Sequence, residues 1–149
     1  DNGVRFSHPD LMGKLLSGHD FVSELSVAND SDGRDADPSD PGDWVSAGDL
    51  GTAIFDACDV ADSSWHGTFI AGQVGAVWNN GIGIAGINRL ARILPVRVAG
   101  KCGALLSDLL DGVRWAAGLP VDGAPSNPTP ARVINLSFGG STACNAAYQ

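Results

Sequence analysis

A single histidine stands at the start of a segment that predicts a tightly packed helix. His66 follows Ser63 and Ser64 and precedes a run of small and apolar residues that ends near Val77, so we expect this helix to be buried on nearly all sides. A serine hydroxyl there can accept a hydrogen bond from a free backbone N–H of the first turn. At this end the helix dipole disfavours imidazolium, which leaves a neutral imidazole able to act as a general base. A structural, hydrogen-bonding role is the alternative for one isolated histidine.

Two other segments carry groups that could complete such a site. Asp1 opens a glycine-containing loop, and Ser137 precedes Phe138 and a pair of glycines. In nucleophilic hydrolases a carboxylate holds the tautomer of the histidine base and stabilises the cation formed during proton transfer. Asp1 and His66 are therefore candidates for the base half of a catalytic triad.

The elements that must position these groups predict an α/β fold. Residues 15–21 and 91–98 have strand composition, although Pro95 predicts a bulge or an irregular end of pairing in the second segment. Apolar residues recur at helical spacing over 105–119, and another strand is predicted over 132–138. The charged residues of this helix are expected to point away from the core: Asp108, Asp111 and Arg114.

Strand, helix and strand in this order form a βαβ unit, which predicts a parallel sheet with a right-handed crossover. Loops at the carboxyl ends of parallel strands gather at one edge of the sheet, where sites assemble. We therefore expect the loops that carry Asp1, His66 and Ser137 to converge at that edge.

Residues 23–64 are rich in Asp, Ser, Gly and Pro and predict an acidic loop insertion. Their carboxylates repel one another unless water, salt or a hard cation intervenes. The spacing is not that of an EF-hand, so a calcium site and a merely solvated loop both remain open. The candidate ligands are Asp30, Asp32, Asp35, Asp37 and Asp43.

Composition excludes some classes of protein. The 149 residues are 44% hydrophobic and 17% charged, which is typical of one globular domain. A net charge of -8 with scattered Lys and Arg argues against a nucleic-acid partner, and no run approaches the ~18 apolar residues of a membrane span. The three cysteines, Cys58, Cys102 and Cys144, fit no zinc or redox spacing, so disulfide pairing with one partner outside the chain is expected.

Four motifs resemble, in the same order, those of the subtilisin-like serine proteases, the subtilase family. They are D-N-G-V from Asp1, H-P-D-L from His8, H-G-T-F-I-A-G from His66 and V-I-N-L-S-F-G-G from Val133. The resemblance implies a doubly wound, mostly parallel α/β sheet, with Asp1 as the orienting aspartate and His66 as the general base. Two positions depart from the family pattern: Asn2 replaces the usual Thr or Ser, and Phe69 replaces a second histidine.

The resemblance also implies a serine endopeptidase that acts on polypeptides. The backbone of Ser137, Phe138 and Gly139 would pair with an extended substrate, and Leu106 and Phe138 would line an apolar subsite. The family's nucleophile box, Gly-Thr-Ser-Met-Ala, does not occur in this sequence. We therefore expect 1–149 to be the amino-terminal portion of one catalytic domain, without its first strand and carboxyl-terminal half. The remaining carboxyl-terminal part is then a required partner, and the isolated chain should be inactive; a non-catalytic fragment or peptide-binding module is the alternative.

By the same resemblance, structural calcium would bind Asp10 and the loop that follows the His66 helix. Its ligands would be the side chains of Asp10 and of Asn79 or Asn80, and backbone carbonyls such as those of Val77, Ile82 and Ile84.

The mapping onto the family also implies a Cys58–Cys102 disulfide, since both residues flank the substrate cleft. Cys144 would pair with a cysteine outside the chain, and a Cys102–Cys144 bridge is the alternative. A secreted, extracellular protein is expected.

Overall fold

The structure is a computed structural model that describes residues 1–137 and 139. Among the helices of this part, none is both long enough and apolar enough to cross a lipid bilayer. In chain order the elements are a 3-10 helix Pro9–Leu11, β1 His19–Asp20, α1 Leu25–Ala28, α2 His66–Gly75, β2 Val96–Arg97 and α3 Leu106–Ala116.

The two strands form a parallel pair, with His19 opposite Val96 and Asp20 opposite Arg97. A parallel bridge between Leu15 and Ile93 continues the pairing. Between these two pairings the segment that leads into β1 has one residue more than the segment that leads into β2, so the ladder contains a bulge beside Pro95. This confirms the parallel sheet and the irregularity that Pro95 predicts.

Asp1 lies on the other edge of β2. Its carbonyl accepts hydrogen bonds from Val98 N at 2.8 Å and from Ala99 N at 3.2 Å. The carbonyls of Pro95 and Arg97 accept instead from the chain around β1. Backbone groups of an extended strand alternate between its two edges, so Asp1 occupies a strand position next to β2.

Helix α2 confirms the predicted helix at His66, but burial on nearly all sides, which its small residues suggested, is wrong. Gly67, Thr68, Ala71 and Gly75 are buried, whereas Phe69 is 60% exposed. Ile70 and Val74 line a cleft of about 810 Å³ that also touches β2 and α3. No other segment described by the structure fills this cleft, so one side of α2 stays uncovered.

Helix α3 also forms as predicted, and its Trp115 packs with Phe21 and Val98 in the core. The expectation that Asp108 points to solvent is wrong, since this residue is 1% exposed. Its carboxylate accepts hydrogen bonds from Ser23 N at 3.0 Å and from an Arg34 guanidinium nitrogen at 2.7 Å. The acidic segment therefore covers a face of α3 that the periodicity of the sequence predicts to be exposed to solvent.

Two further expectations are corrected by the structure. Residues 132–137 form no strand within the described chain, because their backbone hydrogen bonds with no neighbouring strand there. The 23–64 segment contains the one-turn helix α1, whose Val27 and Ala28 pack with Val22 and Phe55. Glu24 caps its first turn by accepting from Ser26 N, a signal too short to show as periodicity.

Candidate active site

The structure brings Asp1 and His66 together. Asp1 Oδ1 lies 2.9 Å from His66 Nδ1, and the two side chains are 20% and 39% exposed. A carboxylate only accepts hydrogen bonds, so Nδ1 carries the proton and the other ring nitrogen, Nε2, is the basic atom. This pair has the geometry of a base held in one tautomer by an acid.

The start of α2 is tied to the Asp1 loop by the side chain of Asn2, which is 4% exposed. Asn2 Oδ1 accepts from Gly67 N at 2.7 Å, and its Nδ2 donates to Ser64 Oγ at 3.1 Å. Ser64 Oγ also accepts from His66 N at 3.3 Å, so a serine does accept from a first-turn N–H as predicted, although the N-cap position itself is Trp65, whose side chain makes no capping hydrogen bond. Two free N–H groups of the first turn are thereby satisfied.

Asn2 holds the acid as well, because its backbone N–H donates to Asp1 Oδ1 at 3.0 Å. The same carboxylate oxygen thus receives hydrogen bonds from Asn2 and from His66. Asn2, which stands where the family usually has Thr or Ser, is therefore a structural link between Asp1 and the start of α2.

Two glycines allow the Asp1 loop to pack closely against α2 and against residues 38–40. A Cβ at position 67 would overlap the carbonyl oxygen of Gly3. Gly3 itself has φ +97°, and a Cβ there would lie 2.8 Å from Pro38 O. Glycine at position 67 therefore sets the spacing between α2 and the Asp1 loop, and glycine at position 3 sets the spacing between that loop and residues 38–40.

The predicted calcium ligands of the loop after α2 lie together. Residues 77 and 79–85 surround a cavity of about 290 Å³, and this set includes Val77, Ile82 and Ile84. Beside it, Asp10 accepts from Asn80 Nδ2 at 2.7 Å and from Ile84 N at 2.8 Å. These bonds, that of Asn80 foremost, lower the pKa of Asp10. An ionised carboxylate in a loop that also carries amide and carbonyl oxygens offers the kinds of ligand that calcium takes, although the groups that face Asp10 here are N–H donors.

The carboxylates of the acidic segment have separate partners. Asp30 joins Asp20 in an ion pair with the buried Arg97, and Asp43 binds Ser64. Burial, followed by the nearby Asp30 and Asp35, raises the pKa of Asp32. Asp35 and Asp37 each accept a backbone N–H two residues further along.

Across residues 1–137 and 139, no three His, Cys, Asp or Glu side chains converge as a group that could hold a metal ion. The structure thus does not bring the five predicted ligands of the 23–64 segment to one place.

The candidate substrate residues are partly outside the described chain. Ser137 and Gly139 are exposed, and Leu106, the first residue of α3, is half-buried. Phe138 lies outside the described residues. Ser137 Oγ accepts a hydrogen bond from Asn135 Nδ2 at 2.8 Å.

The structure contains the Cys58–Cys102 disulfide, with 5.9 Å between the two Cα atoms. The bridge joins the 23–64 segment to the loop after β2, and this confirms the pairing. Beside it Lys101 Nζ lies 2.9 Å from Asp49 Oδ1 and lowers the pKa of Asp49 to about 2. Cys144 lies outside the described residues.

Comparison with known proteins gives the same family. Residues 1–149 match the profile of the Subtilase family. The chain belongs to the subtilase family. A subtilase relative, an extracellular protease of Xanthomonas campestris pv. campestris, is 47% identical over 149 residues, which are 100% of this chain and 25% of that protein.

A second subtilase relative, an extracellular basic protease of Dichelobacter nodosus, is 45% identical over 100% of this chain and 24% of that protein. A solved protease structure from Pseudoalteromonas arctica superposes with a TM-score of 0.90 at 51% identity, over 99% of this chain and 42% of that one. These findings confirm the subtilisin-like α/β fold. The chain spans about a quarter of the length of these two curated subtilase relatives.

The sequence did not reveal the hydrogen bonds among Asn2, Ser64 and Asp43. Asn2 stood out only as a departure from the subtilase motif, and Asp43 only as one carboxylate among many. Their contacts span 62 and 21 residues of sequence, so no local pattern contains them.

Proposed function

We propose that this chain supplies the aspartate and histidine of an Asp–His–Ser triad in a serine endopeptidase. The 2.9 Å contact between Asp1 Oδ1 and His66 Nδ1 carries this proposal. A serine from the remaining carboxyl-terminal part attacks the peptide carbonyl, and His66 Nε2 takes its proton and passes it to the leaving amine. Asp1 keeps the proton of Nδ1 in place and stabilises the imidazolium formed between these steps.

The remaining part of the domain would cover the cleft between α2 and α3. Its lining includes Ile70, Val74, Val113 and Ile134, all apolar side chains. An apolar cleft beside β2 and Asp1 is suited to further strands of the same sheet.

The substrate would be an extended polypeptide. Ser137 and Gly139 are exposed, and residues 132–137 leave backbone groups free within the described chain. Such a segment can add a substrate strand through main-chain hydrogen bonds, with Leu106 and Phe138 beside an apolar subsite. Both named relatives are extracellular proteases, and the disulfide supports secretion of this protein as well.

A fluorophosphonate probe tests the proposed activity. The intact protein that carries this segment should be labelled on its serine and should cleave a casein or peptide substrate, while the isolated 149 residues should do neither. Absence of labelling in the intact, folded protein would favour a non-catalytic peptide-binding module. Peptidase activity of the isolated chain would contradict the division of the triad proposed here.

We further propose structural calcium in the loop 77–85, held by Asp10, an asparagine side chain and backbone carbonyls. Asn80 turns its Nδ2 toward Asp10 at 2.7 Å, so the amide would rotate to offer its oxygen to the ion in place of this hydrogen bond. Chelation by EGTA should lower the thermal midpoint of the inhibitor-blocked protein, since a ligand that binds only the folded state stabilises it. Asp10→Asn should remove most of this shift. A midpoint that EGTA leaves unchanged would contradict the calcium assignment.

A further inference from the structure

Asp43 belongs to the acidic segment, yet both of its carboxylate oxygens bind Ser64, just before the start of α2. Oδ1 accepts from Ser64 N at 2.6 Å, and Oδ2 accepts from Ser64 Oγ at 2.7 Å. Hydrogen bonds to an ionised carboxylate are the stronger kind, and two of them fix the orientation of the serine. The triad chemistry does not use this carboxylate, so its contacts need another explanation.

The groups around the Ser64 hydroxyl allow it only one pattern of hydrogen bonds. A carboxylate can only accept, whereas the His66 backbone N–H and the Asn2 Nδ2 group can only donate. Ser64 Oγ therefore gives its proton to Asp43 and accepts from Asn2 at 3.1 Å and from His66 at 3.3 Å. Asp43 thus determines which way the lone pairs of this hydroxyl point.

That orientation continues through Asn2. Because the Nδ2 of Asn2 faces Ser64, its Oδ1 faces Gly67 N at 2.7 Å. The backbone N–H of Asn2 separately donates to Asp1 Oδ1 at 3.0 Å. The hydrogen-bond chain from Asp43 through Ser64 to Asn2, hereafter the Asp43 relay, therefore ends on both the acid and the helix that carries the base.

The backbone holds Asp43 in place for this contact. Val45 and Ala61 form an antiparallel bridge, with N–H···O distances of 2.9 and 3.0 Å, just inside the Asp43–Ser64 pair. Gly42 has φ +99°, and a Cβ there would lie 2.6 Å from Ser63 Oγ. The positive φ of Gly42 favours glycine, so this turn and the bridge together hold the backbone at Asp43 beside Ser64.

We propose that Asp43 is a positioning residue for catalysis, which sets the Asp1–His66 geometry through Ser64 and Asn2. It touches neither substrate nor reacting atoms. A small displacement of a base relative to its acid and nucleophile reduces turnover much more than substrate binding. The relay therefore acts on kcat with little effect on KM. This inference rests on the proposed protease function.

The test compares Asp43→Asn and Ser64→Ala in the intact protein with Asp62→Asn, an exposed carboxylate two residues before Ser64. Asp43→Asn and Ser64→Ala should each lower kcat about tenfold with KM within about twofold, equivalent to one charge-assisted hydrogen bond. The double variant should lose no more than either single one, because both act along one path. Asp62→Asn should match the wild type, and Ser64→Thr should retain activity through its hydroxyl.

Thermal unfolding shows which variants fold, and Ser64→Ala, the smaller change at an exposed residue, carries the test if Asp43→Asn does not fold. Unchanged kcat in the folded variants, additive losses in the double variant, or an increase confined to KM would each overturn the relay. An inactive wild type would instead reject the proposed protease function itself. The two failures are therefore distinguishable.

Discussion

The carboxylate of Asp1 matters through its direction as much as through its charge. It accepts from His66 Nδ1 and from Asn2 N at one oxygen, so the imidazole proton stays on Nδ1 and Nε2 is left unprotonated. An amide at this position could present its NH2 group to Nδ1 and stabilise the wrong tautomer.

Asp1→Asn should therefore reduce kcat by about four powers of ten with little change in KM. A loss of this size is known for subtilisin itself when its triad aspartate is removed. Steady-state kinetics of the intact protein on a peptide substrate measures this effect, with Asp59→Asn, an exposed carboxylate, as the control. A reduction of less than tenfold would show that Asp1 does not orient the base.

At the scale of elements, α2 depends on how closely it can approach the Asp1 loop. Gly67→Ala would place a Cβ onto the Gly3 carbonyl, so helix and loop must move apart. We expect unfolding free energy to fall by about 1–3 kcal/mol, the usual cost of overpacking, together with a loss of kcat.

Gly72→Ala in the same helix is the matched control, since its Cβ would meet only Ile84 Cδ1 at 4.0 Å. Removing a glycine from a helix interior should stabilise the protein by about 0.5–1 kcal/mol. Denaturant unfolding of both variants measures the contrast. Equal effects would indicate that the contact with Gly3 does not constrain α2.

Different parts of the site were accessible to sequence analysis for different physical reasons. Asp1, His66 and the Cys58–Cys102 pair could be predicted because they lie within or map onto ordered family motifs. The burial of Asp108 could not, because it depends on Ser23 and Arg34 folding over α3 from more than 70 residues away. The strand predicted over 132–138 failed for a different reason. Its composition favours a strand, but a strand also needs a neighbour to hydrogen-bond with, and composition does not show whether one is there.

At the scale of the whole molecule, the 23–64 segment is fastened to the loop after β2 by the disulfide and by the Lys101–Asp49 pair. The folded pKa of Asp49, about 2, lies below its ordinary value of 3.8, and Lys101 is the leading cause. The ionised carboxylate therefore adds stability above about pH 4, and this contribution is lost as the pH falls towards 2.

Lys101→Met should consequently lower the thermal midpoint at pH 6, and the difference from the wild type should shrink between pH 4 and 2. Lys14→Met is the control, because Lys14 Nζ donates to the neutral Arg89 carbonyl and its effect should be nearly constant over this range. Calorimetry of the inhibitor-blocked protein gives both series. A difference for Lys101→Met that persists undiminished at pH 2 would contradict the assignment.

The amide of Asn2 has a consequence for how this site varies among related sequences. Its Oδ1 accepts from Gly67 N and its Nδ2 donates to Ser64 Oγ, whereas the threonine or serine usual at this position has one oxygen on a side chain one bond shorter, set back from both partners. An exchange of Asn2 for a hydroxyl residue leaves Ser64 without one of its donors, so positions 2 and 64 should be replaced together over evolutionary time. Asp43, which holds the other side of Ser64, should covary with them.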